Sequence, residues 1–152
     1  MNSKLITQLE IWSESDATGI VLDSSTGFTL PNGAKRSPDA SWILKSRMAE
    51  LSPKRLRGLA QICPDFVAEL RSESDSLAAL KEKMEEYIEN GARLGLLIDP
   101  QNTRVYLYRP GDSVELLQDP DNVTCDPVLR GFTLALGPVW DQPDWLPPEI
   151  QE

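Results

Sequence analysis

The chain has 152 residues, the length of a single domain, and 40% of them are apolar, enough for one compact core. Its net charge of −9 excludes a broad basic surface that neutralises many phosphates, though not a local basic groove. Histidine is absent, which excludes Ser-His-Asp and Cys-His catalysis, histidine nucleases and His-ligated zinc, and no Walker-type or GxGxxG loop is present.

The opening MNSKLITQLEIW has neither the basic n-region nor the apolar h-region of a signal peptide. No run approaches the ~20 apolar residues of a membrane helix, so a cytoplasmic protein is expected. Leu5, Ile6, Leu9 and Trp12 recur at helical spacing and predict a short helix over 4–12. A strand is expected at 20–22, a turn at 24–27, and a returning strand at 28–30 before the turn Pro31-Asn32-Gly33. Pro38 disfavours helix before it and launches an extended segment through Asp39 to Leu44. A short helical piece around Met48 precedes the basic stretch Lys54-Arg55-Leu56-Arg57.

Pro64 opens a second extended segment over 65–70. The plainest helix is 76–90, where Leu77, Leu80, Met84, Tyr87 and Ile88 form one stripe. Ser74 and Asp75 are its expected N-caps, and Asn90-Gly91 its C-cap. Further strands are expected at 94–98, 105–108, 114–117 and 132–136, with an irregular, proline-rich tail after Gly137. Cys63 and Cys125 form no CxxC pair and read as buried thiols, and Tyr106, Tyr108 and Trp140 read as core. The order of elements predicts a mixed α/β (α+β) domain with a curved, mostly antiparallel sheet flanked by helices.

Without histidine, any chemistry falls to carboxylates, lysines and arginines. In FVAEL at 66–70 apolar residues fill both strand faces, and Glu69 interrupts them. An ionised carboxylate there is costly unless it is paired or bound to metal. An ion pair with Arg71, or a solvent-facing strand end, is the plainer alternative. Asp39 stands at the start of another strand. Two carboxylates from neighbouring strands can share one Mg²⁺, which takes oxygen ligands. If the 76–90 helix folds back along the Glu69 strand, Lys83 comes level with Glu69; otherwise it is a solvated lysine paired with Glu82 or Glu86. Arg71 lies two residues after Glu69, where a Glu-x-Lys motif carries lysine.

The segments DSSTGFTLPNG at 23–33, RSPDASW at 36–42, CPDFVAELRS at 63–72, KMEEYIENG at 83–91, LGLLIDP at 94–100 and LRGFTL at 129–134 resemble, in order and spacing, the Uma-type family. That restriction-endonuclease-like family is abundant in cyanobacteria and assigned to the PD-(D/E)XK superfamily. The resemblance covers about residues 3–140. It implies a nuclease-like core over 1–140, shortened at the N-terminus, with a tail at 141–152. It also implies an Mg²⁺- or Mn²⁺-dependent site cleaving DNA phosphodiesters. Asp39 and Glu69 match the two metal-binding carboxylates, with the backbone carbonyl of Leu70 as a further ligand. Lys83 matches a catalytic lysine displaced to the helix.

Under this reading Arg71 and Lys81 are secondary phosphate contacts, and Lys45, Arg47, Lys54, Arg55 and Arg57 form a local basic patch. A homodimer is expected, as for other small nuclease domains. Two departures stand out: the N-terminus begins almost at the first helix, and arginine replaces lysine at Arg71. The rival expectation is a non-catalytic interaction module that pairs through an exposed sheet edge.

Overall fold

The runs FVAEL and LGLLID are apolar on both faces and become the two central, buried strands of a sheet. The computed structural model describes residues 2–51 and 59–141. In chain order its elements are α1 (Asn2–Asp16), β1 (Gly19–Asp23), β2 (Phe28–Thr29), β3 (Lys35–Arg36), β4 (Ala40–Leu44) and α2 (Lys45–Ala49). They continue with β5 (Phe66–Leu70), α3 (Leu77–Glu89), β6 (Leu94–Asp99) and β7 (Arg104–Tyr108). The last are β8 (Glu115–Gln118), β9 (Asn122–Thr124), β10 (Thr133–Ala135) and α4 (Gly137–Trp140).

The main sheet has the order β1-β4-β5-β6-β7-β8. Only β5 and β6 run parallel; the other neighbours are antiparallel. A parallel pair needs a crossover, and α3 supplies it. This is the mixed, mostly antiparallel sheet that the sequence predicts.

Alternation along the strands sorts the core into two layers. Trp42, Phe66, Ala68, Leu96 and Ile98 pack with Leu5 and Leu9 of α1, Leu134 of β10 and Val139 of α4. Ile43, Val67, Leu97 and Tyr106 face the other way, against Leu80, Met84 and Tyr87 of α3 and Phe28 of β2. Cys63 and Cys125 are free and buried, as expected. Tyr106 and Tyr108 are core residues, and Trp140 packs partly buried against the core.

Several local expectations are corrected. The segments at 20–22 and 28–30 do not form a hairpin: β1 pairs with β4, and β2 pairs with β3. Asp23 explains the departure. Its Oδ1 accepts from the Ser25 N–H and its carbonyl from the Thr26 N–H, turning the chain out of the sheet. The next turn then closes β2 onto β3, with Gly33 at φ +90° where a side chain is disfavoured.

The N-cap of α3 is Ser76, whose hydroxyl accepts from the Ala79 N–H. Asp75 is occupied by the Ser72 N–H and hydroxyl. The first helix runs longer than 4–12. Gly137–Trp140 is a helical turn rather than irregular chain, with Pro138 where its missing N–H does no harm. Lys54, Arg55, Arg57 and residues 142–152 lie outside the described residues. Among the described residues no helix is long and apolar enough to cross a membrane.

Candidate functional site

β4 and β5 pair as Ala40↔Ala68, Ser41↔Val67 and Trp42↔Phe66. Carried one residue further, this register sets Asp39 opposite Glu69. Alternation puts both on the α3 side of the sheet, with Ser41 and Val67. Residues directly opposed across antiparallel strands have Cβ atoms about 5 Å apart. The structure therefore brings the two sequence-predicted carboxylates together on one face.

Each carboxylate is held by a neutral donor. The Leu70 N–H donates to Asp39 Oδ2 at 2.7 Å. The Tyr87 hydroxyl donates to Glu69 Oε1 at 3.0 Å. Glu69 is only 5% exposed. Burial, and then the Asp39 charge, push its carboxyl up to about 7, while the Lys83 charge and the Tyr87 hydrogen bond oppose the rise. The Tyr87 phenol is itself pushed up, by burial first and by Glu69 next.

Lys83 is half-buried on α3, one turn before Tyr87. Its charge acts on both Glu69 and Asp75. Among the described residues it closes no ion pair, and Glu86 is instead bonded to Arg36 Nε at 2.6 Å.

The other predicted contacts lie further out. Arg71 Nη1 sits 3.0 Å from Asp99 Oδ2, and its Nε donates to the Asp75 carbonyl at 3.4 Å. Asp99 is fully buried and also accepts from the Gln101 N–H and the Asn102 side-chain amide. Arg71 thus ties the end of β5 to the end of β6 and does not pair with Glu69. Lys81 Nζ stands 4.7 Å over the Tyr106 ring. Glu69, Leu97 and Tyr106 form one cross-strand row, so Lys81 lies two strands from Glu69 on the same face. Arg47 is paired with buried Asp65 at 2.9 Å, and Lys45 Nζ donates to the Ala17 carbonyl at 3.2 Å. Both sit beyond the end of β4 opposite to Asp39, which removes them from any patch beside the carboxylates.

The β4–β5 ladder ends at Ala40↔Ala68, and the Leu70 N–H bonds the Asp39 side chain instead of a β4 carbonyl. Asp39, Glu69 and the Leu70 carbonyl supply hard oxygens of the kind that could hold Mg²⁺ or Mn²⁺, with water completing the shell. Among the described residues no group of three or more His, Cys, Asp or Glu side chains is arranged to hold a metal.

Tyr87 is the residue that sequence reasoning missed. It reads as one more apolar member of the helix stripe, and the only hint is its place four residues after Lys83.

No curated protein matches the chain. The fold is similar to the 1.96 Å crystal structure of a protein from Anabaena variabilis ATCC 29413 described as a "putative nuclease belonging to DUF820". The TM-score is 0.76 at 21% identity, over 91% of this chain and 77% of that one. A weaker likeness, with TM-score 0.43 at 13% identity, is to the cryoEM structure of a DrdV–DNA complex, over 72% of this chain and 9% of that one. The Uma2 family model, described as "Putative restriction endonuclease", matches residues 1–137, and the chain belongs to that family.

Proposed function

We propose that the protein is a divalent-metal-dependent DNA endonuclease of the PD-(D/E)XK type that hydrolyses phosphodiester bonds. The observation that carries this reading is the cross-strand pair of Asp39 and Glu69 on one sheet face, with Lys83 acting on the same carboxylate. Two like charges opposed across strands destabilise a sheet, and a cation between them offsets the repulsion. Family membership and a nuclease-like fold support the reading.

Asp39, Glu69 and the Leu70 carbonyl would hold Mg²⁺ or Mn²⁺. When bound, such an ion activates coordinated water and offsets charge on the scissile phosphate. Lys83, free of carboxylate partners among the described residues, stabilises charge on that phosphate or takes the proton of the attacking water. Lys81 is a secondary phosphate contact further along the substrate, whereas Arg71 is held by Asp99. With a net charge of −9 the protein makes few such contacts, so its DNA affinity should depend only weakly on salt. The working unit is a cytoplasmic homodimer, since a two-fold pair of sites matches the two strands of a duplex.

One observation favours a second reading, a non-catalytic module that binds another protein. Arg71, at the position of the usual lysine, is engaged with Asp99. Calorimetry with Mg²⁺ and Mn²⁺, together with nicking of supercoiled DNA, separates the two. The nuclease reading expects a metal site that is lost in Asp39→Ala and Glu69→Ala, with nicking lost in parallel. Absence of metal binding at millimolar concentration by the intact protein overturns it in favour of the binding module.

A further inference from the structure

We infer that Tyr87 is a positioning residue: its hydroxyl fixes one oxygen of Glu69 so that the other is presented toward Asp39. The inference rests on the metal-site reading above and deepens it.

The argument starts from counting oxygens. Glu69 Oε1 accepts from the Tyr87 hydroxyl, and Asp39 Oδ2 accepts from the Leu70 N–H. Each carboxylate therefore keeps one oxygen, Glu69 Oε2 and Asp39 Oδ1, clear of those bonds. A glutamate has three side-chain torsions, and only a directional partner selects one orientation of its carboxylate within a packed site. Tyr87 suits that task. Tyr87 is fully buried in the core layer that also holds Met84, Val67 and Leu97, so packing limits where its hydroxyl can point. It is a neutral donor, so it orients Glu69 without competing with a cation for the site's negative charge.

Tyr87 is itself held from outside the site. Its carbonyl accepts from the Ala92 N–H at 3.0 Å and from Cys63 Sγ at 3.5 Å. The β2–β3 hairpin grips the same helical turn. Arg36 Nε donates to Glu86 Oε1 at 2.6 Å, Asn32 Nδ2 to Glu86 Oε2 at 3.2 Å, and the Asn32 N–H to Asn90 Oδ1 at 2.9 Å. The small hairpin, outside the main sheet, thus braces the turn of α3 that carries Tyr87.

The test is Mn²⁺ binding followed by electron paramagnetic resonance of the free ion, on full-length wild type, Glu69→Gln, Tyr87→Phe and Arg36→Ala. Wild type should bind and Glu69→Gln should not. Tyr87→Phe, with its fold and thermal midpoint preserved, should bind roughly tenfold more weakly, the usual size of effect for a group that orients a metal ligand. Wild-type affinity in folded Tyr87→Phe overturns the positioning role and leaves the metal site standing. Absence of Mn²⁺ binding by wild type overturns both. If Tyr87→Phe does not fold, Arg36→Ala decides: weakened Mn²⁺ binding with an intact fold supports the inference, and unchanged binding overturns it.

Discussion

Glu69 faces Asp39 across the β4–β5 ladder, and the pair is asymmetric: Glu69 is buried and Asp39 half-buried. Desolvation falls mainly on Glu69, whose carboxyl is pushed from 4.5 to about 7. In the metal-free protein Glu69 therefore keeps its proton to a higher pH than a free glutamate does. A proton there plays the part that a cation would play, cancelling one of two opposed charges.

This asymmetry predicts how stability depends on pH. Between about pH 4.5 and 7 the folded protein keeps the Glu69 proton while the unfolded chain releases it. The folded state binds more protons, so stability falls as pH rises through this window and levels off above about 7. A shift of about 2.5 units corresponds to an upper limit on the order of 3 kcal/mol. Urea unfolding of wild type and Glu69→Gln at pH 5 and pH 8 checks it. Glu69→Gln should gain stability relative to wild type at pH 8, and the difference should shrink at pH 5. Parallel pH profiles for the two proteins would sink the prediction.

Metal binding should show the mirror image. Because the Glu69 proton competes with the cation, Mn²⁺ should raise the melting temperature more at pH 8 than at pH 5.5. A ligand at about a hundred times its Kd stabilises by about 2.7 kcal/mol. For a domain of this size that is a shift of several degrees. Thermal melts with and without 5 mM Mn²⁺ should show the shift in wild type and lose it in Asp39→Ala. A shift of the same size at both pH values would mean that the ion binds elsewhere.

Glu69 and Asp39 are legible in the sequence because each breaks a local pattern. Glu69 is a charge inside an apolar strand, and Asp39 follows a proline that opens another. The long, periodic α3 and the apolar β6 are equally plain. What cannot be read locally depends on partners far along the chain. β3 and β9 have two and three residues, too few to show any alternation. The true pairing of β1 with β4 rather than β2 is decided by how Asp23 turns the chain. The role of Tyr87 is hidden because a tyrosine in a helix stripe looks like core, and it is core as well. Arg71 looks like a phosphate contact until Asp99, 28 residues away, is seen to fold beside it.

That Arg71–Asp99 pair predicts a large effect on stability. Asp99 is fully buried, and the Arg71 side chain is 17% exposed. Removing the guanidinium leaves a buried carboxylate with, among the described residues, the Gln101 N–H and the Asn102 amide as donors. Breaking a buried pair from one side typically costs about 3–5 kcal/mol. Arg71→Ala should fall near the lower end, because those two hydrogen bonds persist. The double variant Arg71→Ala with Asp99→Asn should recover part of the loss in a denaturant titration. If Arg71→Ala is as stable as wild type, the arginine is free to serve substrate instead.

Under the nuclease reading, a Lys83 variant separates catalysis from metal binding. Its ammonium acts on Glu69 through space, without a close ion pair among the described residues, and its helix position is set by α3 rather than by the carboxylates. Lys83→Met keeps the aliphatic length and removes the charge. Two effects on cation affinity then oppose each other. Glu69 loses a group that favours its ionised form, which weakens binding, while the arriving cation loses a positive neighbour, which strengthens it. Affinity should therefore stay within a few-fold of wild type. Turnover has no such compensation, because Lys81, the other lysine of α3, stands over the Tyr106 ring, two strands from Glu69. Loss of a positioned acid–base group typically lowers the rate about 10²–10⁴-fold. Single-turnover nicking at saturating Mg²⁺ should show a loss in that range while calorimetry shows the ion still bound. Equal losses in binding and turnover would assign Lys83 to holding the site together rather than to chemistry at the phosphate.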